Sequence, residues 1–131
     1  MSAHLRGVKP PLSADKDALT KAPPVPKHLS KHAAAEWKRI MPQLIARRVL
    51  TKADLGGVEN YCVMAGTVRQ IADDQAAAGG VIDLKMMGLS IRCAQTARQL
   101  AAEYGLSPTS RARIGATQAE DDDDDNPLTV R

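Results

Sequence analysis

Apolar residues recur at the three- and four-residue spacing of an amphipathic helix in three stretches of the chain, and this pattern limits the possible folds most strongly. The first stretch follows Ser30, the second follows Thr51, and the third begins between Leu84 and Ser90 and ends at Gly105. Ser30 and Thr51 suit the N-cap position, and Gly105 suits the left-handed residue after a helix. The sequence therefore predicts an all-α fold, with a helical hairpin followed by a long third helix.

The hairpin is predicted from the first two stretches. Helix 1 is expected to end near Arg48, with one apolar face formed by Ala33, Trp37, Ile40, Met41 and Leu44. Pro42 interrupts this stretch, and because proline removes a backbone donor we expect a kink or a split there. Helix 2 starts at "LTKAD", where Asp54 completes a variant of the capping box, and Gly79-Gly80 stops it. The connection is so short that the two helices are predicted to pack as an antiparallel or crossed pair.

A corner between helix 3 and a short fourth helix is predicted from "YGLSPTSRARIG", residues 104–115. Gly105 suits the left-handed position, and Leu106 can fold back onto the last turn of helix 3. Ser107 is a good N-cap, and Pro108 stands at the first helical position, which proline prefers. The fourth helix is therefore expected to run from Pro108 to about residue 118.

Two arginines of this fourth helix, Arg111 and Arg113, lie where the helix dipole disfavours cations by roughly 0.3–1 kcal/mol each. We therefore expect an anionic partner for them. It is a phosphate, an acidic residue across a subunit interface, or the acidic tail of the same chain, and we favour the interface.

Large side chains for a core are scarce, because the chain has no Phe, one Trp and two Tyr. This composition favours helices that pack closely through small residues. The resulting core is thin for a monomer, so oligomerisation is expected to supply further burial. Cys62 and Cys93 fall in helical patterns and are interpreted as buried free thiols. No apolar run approaches the length of a membrane span.

Charge is distributed unevenly along the chain. Residues 1–52 contain eleven Lys and Arg against three acids, residues 53–119 contain six against six, and residues 120–131 contain six acids against one Arg. A basic front suggests a polyanionic partner, and the acidic tail is able to compete for the same surface. We divide the chain into a flexible, mostly disordered, proline-rich basic arm (1–29), a helical domain for DNA binding and oligomerisation (30–118) and a flexible, disordered acidic tail (119–131).

Signals for an enzyme are weak. His28 and His32 lack companion ligands, the Gly-Gly pairs lack the Lys-Ser/Thr of a phosphate loop, and Asp121–Asp125 is interpreted as a solvated run. We predict no catalytic site, no metal and no cofactor. Clustered basic residues point instead to phosphate contacts, although a merely solubilising face remains the alternative. The predicted DNA-binding residues are Lys31, Lys38, Arg39, Arg47, Arg48 and Lys52.

The segment "PPVPKHLSKHAAAEWKRIMPQLIARRVLTKADLGGVENYC", followed by "YGLSPTSRARIG", resembles the small terminase subunits of tailed bacteriophages. The shared features are a proline-rich lead-in, a helix containing Trp, "L-T-x-x-D" before a helix carrying "Y-C", and a late "G-L-[ST]-P-[ST]-S-R-x-R". One departure is "KMMGLS", where that branch often has Asn-Pro before helix 3.

The resemblance implies a non-enzymatic subunit that forms a ring-shaped homo-oligomer, binds viral double-stranded DNA, and recruits and regulates the large terminase ATPase–nuclease. It also implies the cytoplasm of a bacterial host, with no membrane partner. Two alternatives stay open. One is a dimeric helical transcriptional regulator that binds DNA, and the other is a helical adaptor that binds only protein.

Overall fold

Three α-helices form the fold in a computed structural model that describes residues 17–113 and residue 115. They are α1 (Lys31–Ala46), α2 (Leu55–Ala77) and α3 (Leu84–Glu103), and a 3-10 turn at Lys52–Asp54 precedes α2. Residues 108–113 are also helical. The described part of the chain contains no β-strand, so the predicted all-α class is confirmed.

The helices begin where capping chemistry predicts. The Ser30 hydroxyl accepts a hydrogen bond from the Ala33 backbone at 3.4 Å. The Asp54 carboxylate accepts from the Thr51 backbone at 2.8 Å and from the Thr51 hydroxyl at 3.1 Å, so the capping pair forms around the 3-10 turn. Helix α3 begins at Leu84 because the Asp83 carboxylate accepts from the next two free backbone amides, those of Lys85 and Met86.

Pro42 does not split α1, which continues from Lys31 to Ala46. The expected split at this residue is therefore wrong, and the alternative of a kink stays a prediction. Proline costs one backbone hydrogen bond, but Pro42 lies on the exposed side of the helix. The opposite side is held by the five predicted apolar residues, which are between 0% and 2% exposed. Burial of that whole face keeps the helix continuous through the proline.

Helix α2 lies between the other two helices and packs against both. Its side chains Val58, Tyr61 and Cys62 join the apolar face of α1 in the core. Ile71 of α2 is also buried, and α3 contributes the buried Cys93 and Ala97, of which Ala97 belongs to the same core cluster. The predicted hairpin of α1 and α2 is confirmed, and α3 packs against the second helix of that hairpin.

Gly66 marks a close approach of α2 to α1. A Cβ atom placed on Gly66 would lie 2.6 Å from the backbone nitrogen of Ala33 and 2.9 Å from its Cα. Both atoms belong to the backbone, so they cannot move aside as the tip of a side chain can. Close packing through small residues, expected from the composition, is confirmed at this contact.

The end of the proline-rich arm lies on the core. The Leu19 amide donates to the Leu50 carbonyl at 2.7 Å, and Leu19, Val25 and Leu29 pack against the buried cluster. Residues 17–29 contain no helix, which agrees with their prolines. The expectation of disorder does not hold for these three residues. They are isolated apolar residues among prolines, and no periodicity distinguishes them in the sequence.

We predict that Gly66→Ala lowers the free energy of unfolding by about 1–3 kcal/mol, because the added methyl group overpacks a backbone contact. Gly56→Ala is the matched control, since a Cβ there meets nothing within 4 Å. Alanine exceeds glycine in helix propensity by up to about 1 kcal/mol, so the control is expected to be neutral or stabilising. Urea titration of both variants at one protein concentration, followed by circular dichroism, measures the difference. Equal stabilities would contradict the packing argument.

Candidate nucleic-acid interface

Three of the predicted DNA-binding residues share the exposed side of α1. Lys31, Lys38 and Arg39 are all exposed, and they are separated by seven and eight residues, which is about two helical turns. They therefore lie opposite the buried face, along roughly 10 Å of the helix axis. The exposed residues near them, Ala35 and Pro42, are small, so this ridge is basic and free of bulky apolar groups.

Two further predicted residues, Arg48 and Lys52, are exposed in the connection between α1 and α2. Arg48 has a φ of 55°, in the left-handed region that non-glycine residues rarely adopt. This conformation turns the chain just past the end of α1. The basic surface thus continues beyond the helix into the connection.

Arg47 has a different environment from the other five. It is half-buried, and its Nη1 donates to the Gly105 carbonyl at 2.8 Å, across 58 residues of sequence. Its Nη2 approaches the Gln43 amide oxygen at 3.4 Å. In this arrangement Arg47 links the end of α1 to Gly105, two residues past the end of α3. Nothing in the sequence pattern indicated this contact.

The corner at Gly105 has the predicted local geometry. Gly105 has a φ of 70°, and the Leu106 amide donates back to the Ala101 carbonyl at 2.9 Å. Leu106 and Tyr104 both pack against the core. The Tyr104 hydroxyl lies directly over Gly57, where a Cβ atom would collide with it. The corner is therefore held by its own capping hydrogen bond and also by packing against the α1–α2 hairpin.

Two serines lock the start of the following helix. The Ser110 amide donates to the Ser107 hydroxyl at 3.2 Å, and the Ser107 amide donates to the Ser110 hydroxyl at the same distance. The two hydroxyl oxygens are 2.7 Å apart. Ser110 is only 3% exposed, so these hydrogen bonds satisfy a buried polar group. The N-cap at Ser107 is confirmed, and the role of Ser110 is additional.

Arg111 finds a partner within its own corner. Its Nη1 donates to the Leu106 carbonyl at 3.3 Å, while the side chain stays exposed. A backbone carbonyl was not among the three anionic partners expected for Arg111 and Arg113. Arg113 is exposed as well. Gly105 and Leu106 thus present adjacent carbonyls to two arginines, one from α1 and one from the corner helix.

A groove of about 340 Å³ lies between α1 and α2, beside the basic ridge. Its lining combines small residues with charged and histidine side chains. The lining residues are Ala35, Ala65 and Gly66 together with His32, Glu36, Arg39 and Arg69. Within it Glu36 accepts hydrogen bonds from Arg39 and, at 3.4 Å, from the Tyr61 hydroxyl. The hydrogen bond to Glu36 raises the pKa of Arg39. Arg39 is therefore partly engaged by its own helix.

His28 and His32 both pair with carboxylates of α2. His28 Nε2 lies 3.5 Å from Glu59, and His32 Nε2 lies 2.8 Å from Asp73. Arg69 also contacts Asp73, at 3.3 Å. These contacts link the start of α1 to α2. Across the described residues, no group of three or more His, Cys, Asp or Glu is arranged to hold a metal ion.

The cysteines are both free and buried, as predicted. Burial raises the pKa of the Cys62 thiol to about 12. Cys62 is thus protonated at physiological pH and a poor nucleophile. No helix in the described ranges is long and apolar enough to cross a membrane.

We predict that Arg47→Ala loosens the corner. The Gly105 carbonyl loses its donor, and a hydrogen bond to a charged group contributes roughly 1.5–3 kcal/mol. Hydrogen exchange of residues 101–113 is expected to become at least about tenfold faster, while exchange in the middle of α2 stays unchanged. Arg48→Ala is the control, because Arg48 is exposed and removal of its side chain leaves the Arg47 contact intact. Equal exchange in both variants would show that the contact does not hold the corner.

Residues 33–121 match a protein-family model described as phage terminase, small subunit. No curated protein and no solved structure matches the chain significantly. The matched range includes α1 except its first two residues, then α2, α3 and the corner, which is the order of features that the sequence shares with such subunits. Since the match covers more than half of the chain, the protein belongs to the phage terminase small-subunit family, whose general role is in phage DNA packaging.

Proposed function

We propose that this protein is a non-enzymatic subunit that binds viral double-stranded DNA and recruits and regulates the large terminase ATPase–nuclease. The observation that carries the DNA part is the exposed basic ridge of α1, formed by Lys31, Lys38 and Arg39. Arg48 and Lys52 extend it past the helix. Phosphate contacts need clustered cations on an accessible surface, and this ridge supplies them.

The strength of the salt dependence follows from how many cations are available. Six phosphate contacts predict a slope of roughly −5 in log affinity against log salt, at about −0.9 for each contact. Arg47 is held by Gly105 and Arg39 by Glu36. If Arg47 and Arg39 keep these hydrogen bonds when DNA binds, four phosphate contacts remain and the slope is roughly −4. The family supports DNA and the large terminase subunit as partners.

The lengths of the helices favour this role over that of a sequence-specific regulator. A helix-turn-helix needs a short turn between two brief helices. Here α2 has 23 residues and continues through Gly66, and α1 has 16. The helix lengths therefore do not favour a helix-turn-helix form of the dimeric transcriptional regulator, while the basic ridge fits either DNA-binding role.

We predict that Lys38→Ala weakens DNA binding uniformly across sequences and reduces the salt slope by about 0.9. Arg98→Ala is the matched control, because Arg98 is an exposed arginine on α3, a different helix from the ridge. Gel shifts with duplexes of unrelated sequence, over a salt series, measure both slopes. An unchanged slope in Lys38→Ala, or an equal change in Arg98→Ala, would remove the ridge from the interface. Absence of any binding at low salt would favour the protein-only adaptor.

The proposed function includes self-assembly into a ring. A thin core and exposed apolar side chains on α3 support assembly. Arg111 and Arg113 are the proposed interface residues, and Arg111 already lies exposed beside the corner. We expect Arg111→Ala to reduce the native mass more than it reduces DNA affinity, measured by light scattering and gel shift. The opposite order would favour a phosphate contact for Arg111.

The acidic tail lies outside the described residues, and our proposal for it rests on its charge. Six acids in residues 120–131 can compete with DNA for the basic ridge or dock on the large subunit. We expect deletion of Glu120–Arg131 to leave assembly intact and to change DNA affinity or binding of the large subunit. A truncated chain that no longer assembles would contradict this assignment.

A further inference from the structure

Arg48 has a backbone conformation that its side chain makes unfavourable. Its φ is 55°, in the left-handed region, and among the described residues no other non-glycine residue has a positive φ. The described glycines in that region are Gly79, Gly80 and Gly105. At those three positions the chain uses the residue that adopts a positive φ without strain. The arginine at position 48 therefore needs a separate explanation.

The neighbours of Arg48 impose this conformation. The Val49 amide donates to the Leu44 carbonyl at 3.4 Å, five residues back, which closes the end of α1 in a pattern where glycine is the usual residue. Before the turn, the Arg47 side chain is hydrogen-bonded to the corner. After the turn, Leu50 is completely buried. With both flanks fixed, the backbone of Arg48 leaves the left-handed region only if these contacts break.

The Arg48 side chain contributes nothing to the fold that would offset the strain. It is exposed, and it makes no hydrogen bond or ion pair with another described residue. A cation near the end of a helix is favoured by the helix dipole, yet the last turn of α1 contains no basic residue. A cation in that last turn would gain the same effect without strain. The dipole therefore does not explain an arginine at position 48.

We propose that Arg48 is retained in the strained turn because its guanidinium binds a phosphate of the DNA backbone, at the expense of the stability of the fold. The inference rests on DNA binding in the proposed function, and it assigns to Arg48 a contact that the fold itself does not need. Strained residues persist where the surrounding structure holds them, and they cluster at functional sites. Because the turn is fixed, the Arg48 backbone has little freedom to lose when a phosphate binds.

The charges around Arg48 suit a phosphate. Arg47, Arg48 and Lys52 lie within residues 47–52, which contain no acid. The next acid along the chain, Asp54, already accepts hydrogen bonds from the amide and hydroxyl of Thr51. A guanidinium can bind two phosphate oxygens at once through paired N–H groups. A role in solubility alone would not require a cation at a strained position.

Three substitutions at position 48 separate charge from strain. Arg48→Gly removes both, Arg48→Ala removes only the charge, and Arg48→Lys keeps both. We expect Arg48→Gly to raise the melting temperature by about 2–5 °C, because relief of the strain exceeds the additional entropy that glycine loses on folding. Arg48→Ala and Arg48→Lys are expected to melt as the wild type does. Circular dichroism at one protein concentration measures all four proteins.

DNA binding is expected to change in the opposite direction. Arg48→Gly and Arg48→Ala should each reduce the salt slope by about 0.9 and weaken binding roughly tenfold at low salt. Arg48→Lys should recover much of the affinity, since an ammonium group also neutralises a phosphate. Gel shifts over a salt series measure these changes, with Arg98→Ala as the control for loss of one exposed arginine elsewhere. A purely structural role of Arg48 does not produce a variant that is more stable and binds more weakly.

Two results with Arg48→Gly would overturn the inference alone. One is DNA binding as tight as that of the wild type, and the other is a lower melting temperature. The acidic tail is tested as a rival occupant by repeating the gel shifts in a chain without Glu120–Arg131. If Arg48→Gly has no effect on DNA binding in that chain, Arg48 binds the tail and the phosphate assignment is wrong. A wild type that binds no DNA at low salt would overturn the inference together with the proposed function.

Discussion

The contact between Gly66 and Ala33 determines how the rest of the molecule is arranged. With no Cβ on Gly66, the backbone of α1 comes within van der Waals distance of α2, and the apolar face of α1 is buried completely. Helix α2 also packs against α3, whose Ala97 joins the same core cluster. The basic ridge lies on the exposed side of α1, away from the core that α1, α2 and α3 share.

Arg47 connects the end of α1 to the corner that follows α3. Its guanidinium belongs by sequence to the basic cluster, yet it donates to Gly105 at the end of α3. The Tyr104 side chain packs over Gly57, and Leu106 packs against the core. Both contacts hold the same corner against the α1–α2 hairpin. A cation with five donors can hold one carbonyl and still accept a second anionic partner. The structure therefore couples the proposed DNA surface to the corner that carries Arg111 and Arg113 through a single side chain.

Features determined by neighbouring residues were predictable from the sequence. The caps at Ser30, Ser107 and Gly105 depend on hydrogen bonds within a few residues, and they are found as predicted. Contacts between distant residues were not predictable. The Arg47–Gly105 hydrogen bond and the anchoring of Leu19 depend on how helices are placed, which no periodicity records. Pro42 shows the same limit, because complete burial of the opposite face outweighs a local penalty. The DNA contacts stay predictions.

The order of packing has a kinetic consequence. Helices α1, α2 and α3 pack in the order in which they follow one another, so most native contacts join segments that are close along the chain. Folds of this kind have low contact order and form within microseconds to milliseconds. The hydrogen bond from Arg47 to Gly105 spans 58 residues and requires all three helices to be in place. A newly made chain can thus complete its three-helix unit rapidly, and the corner closes only after all three helices are in place.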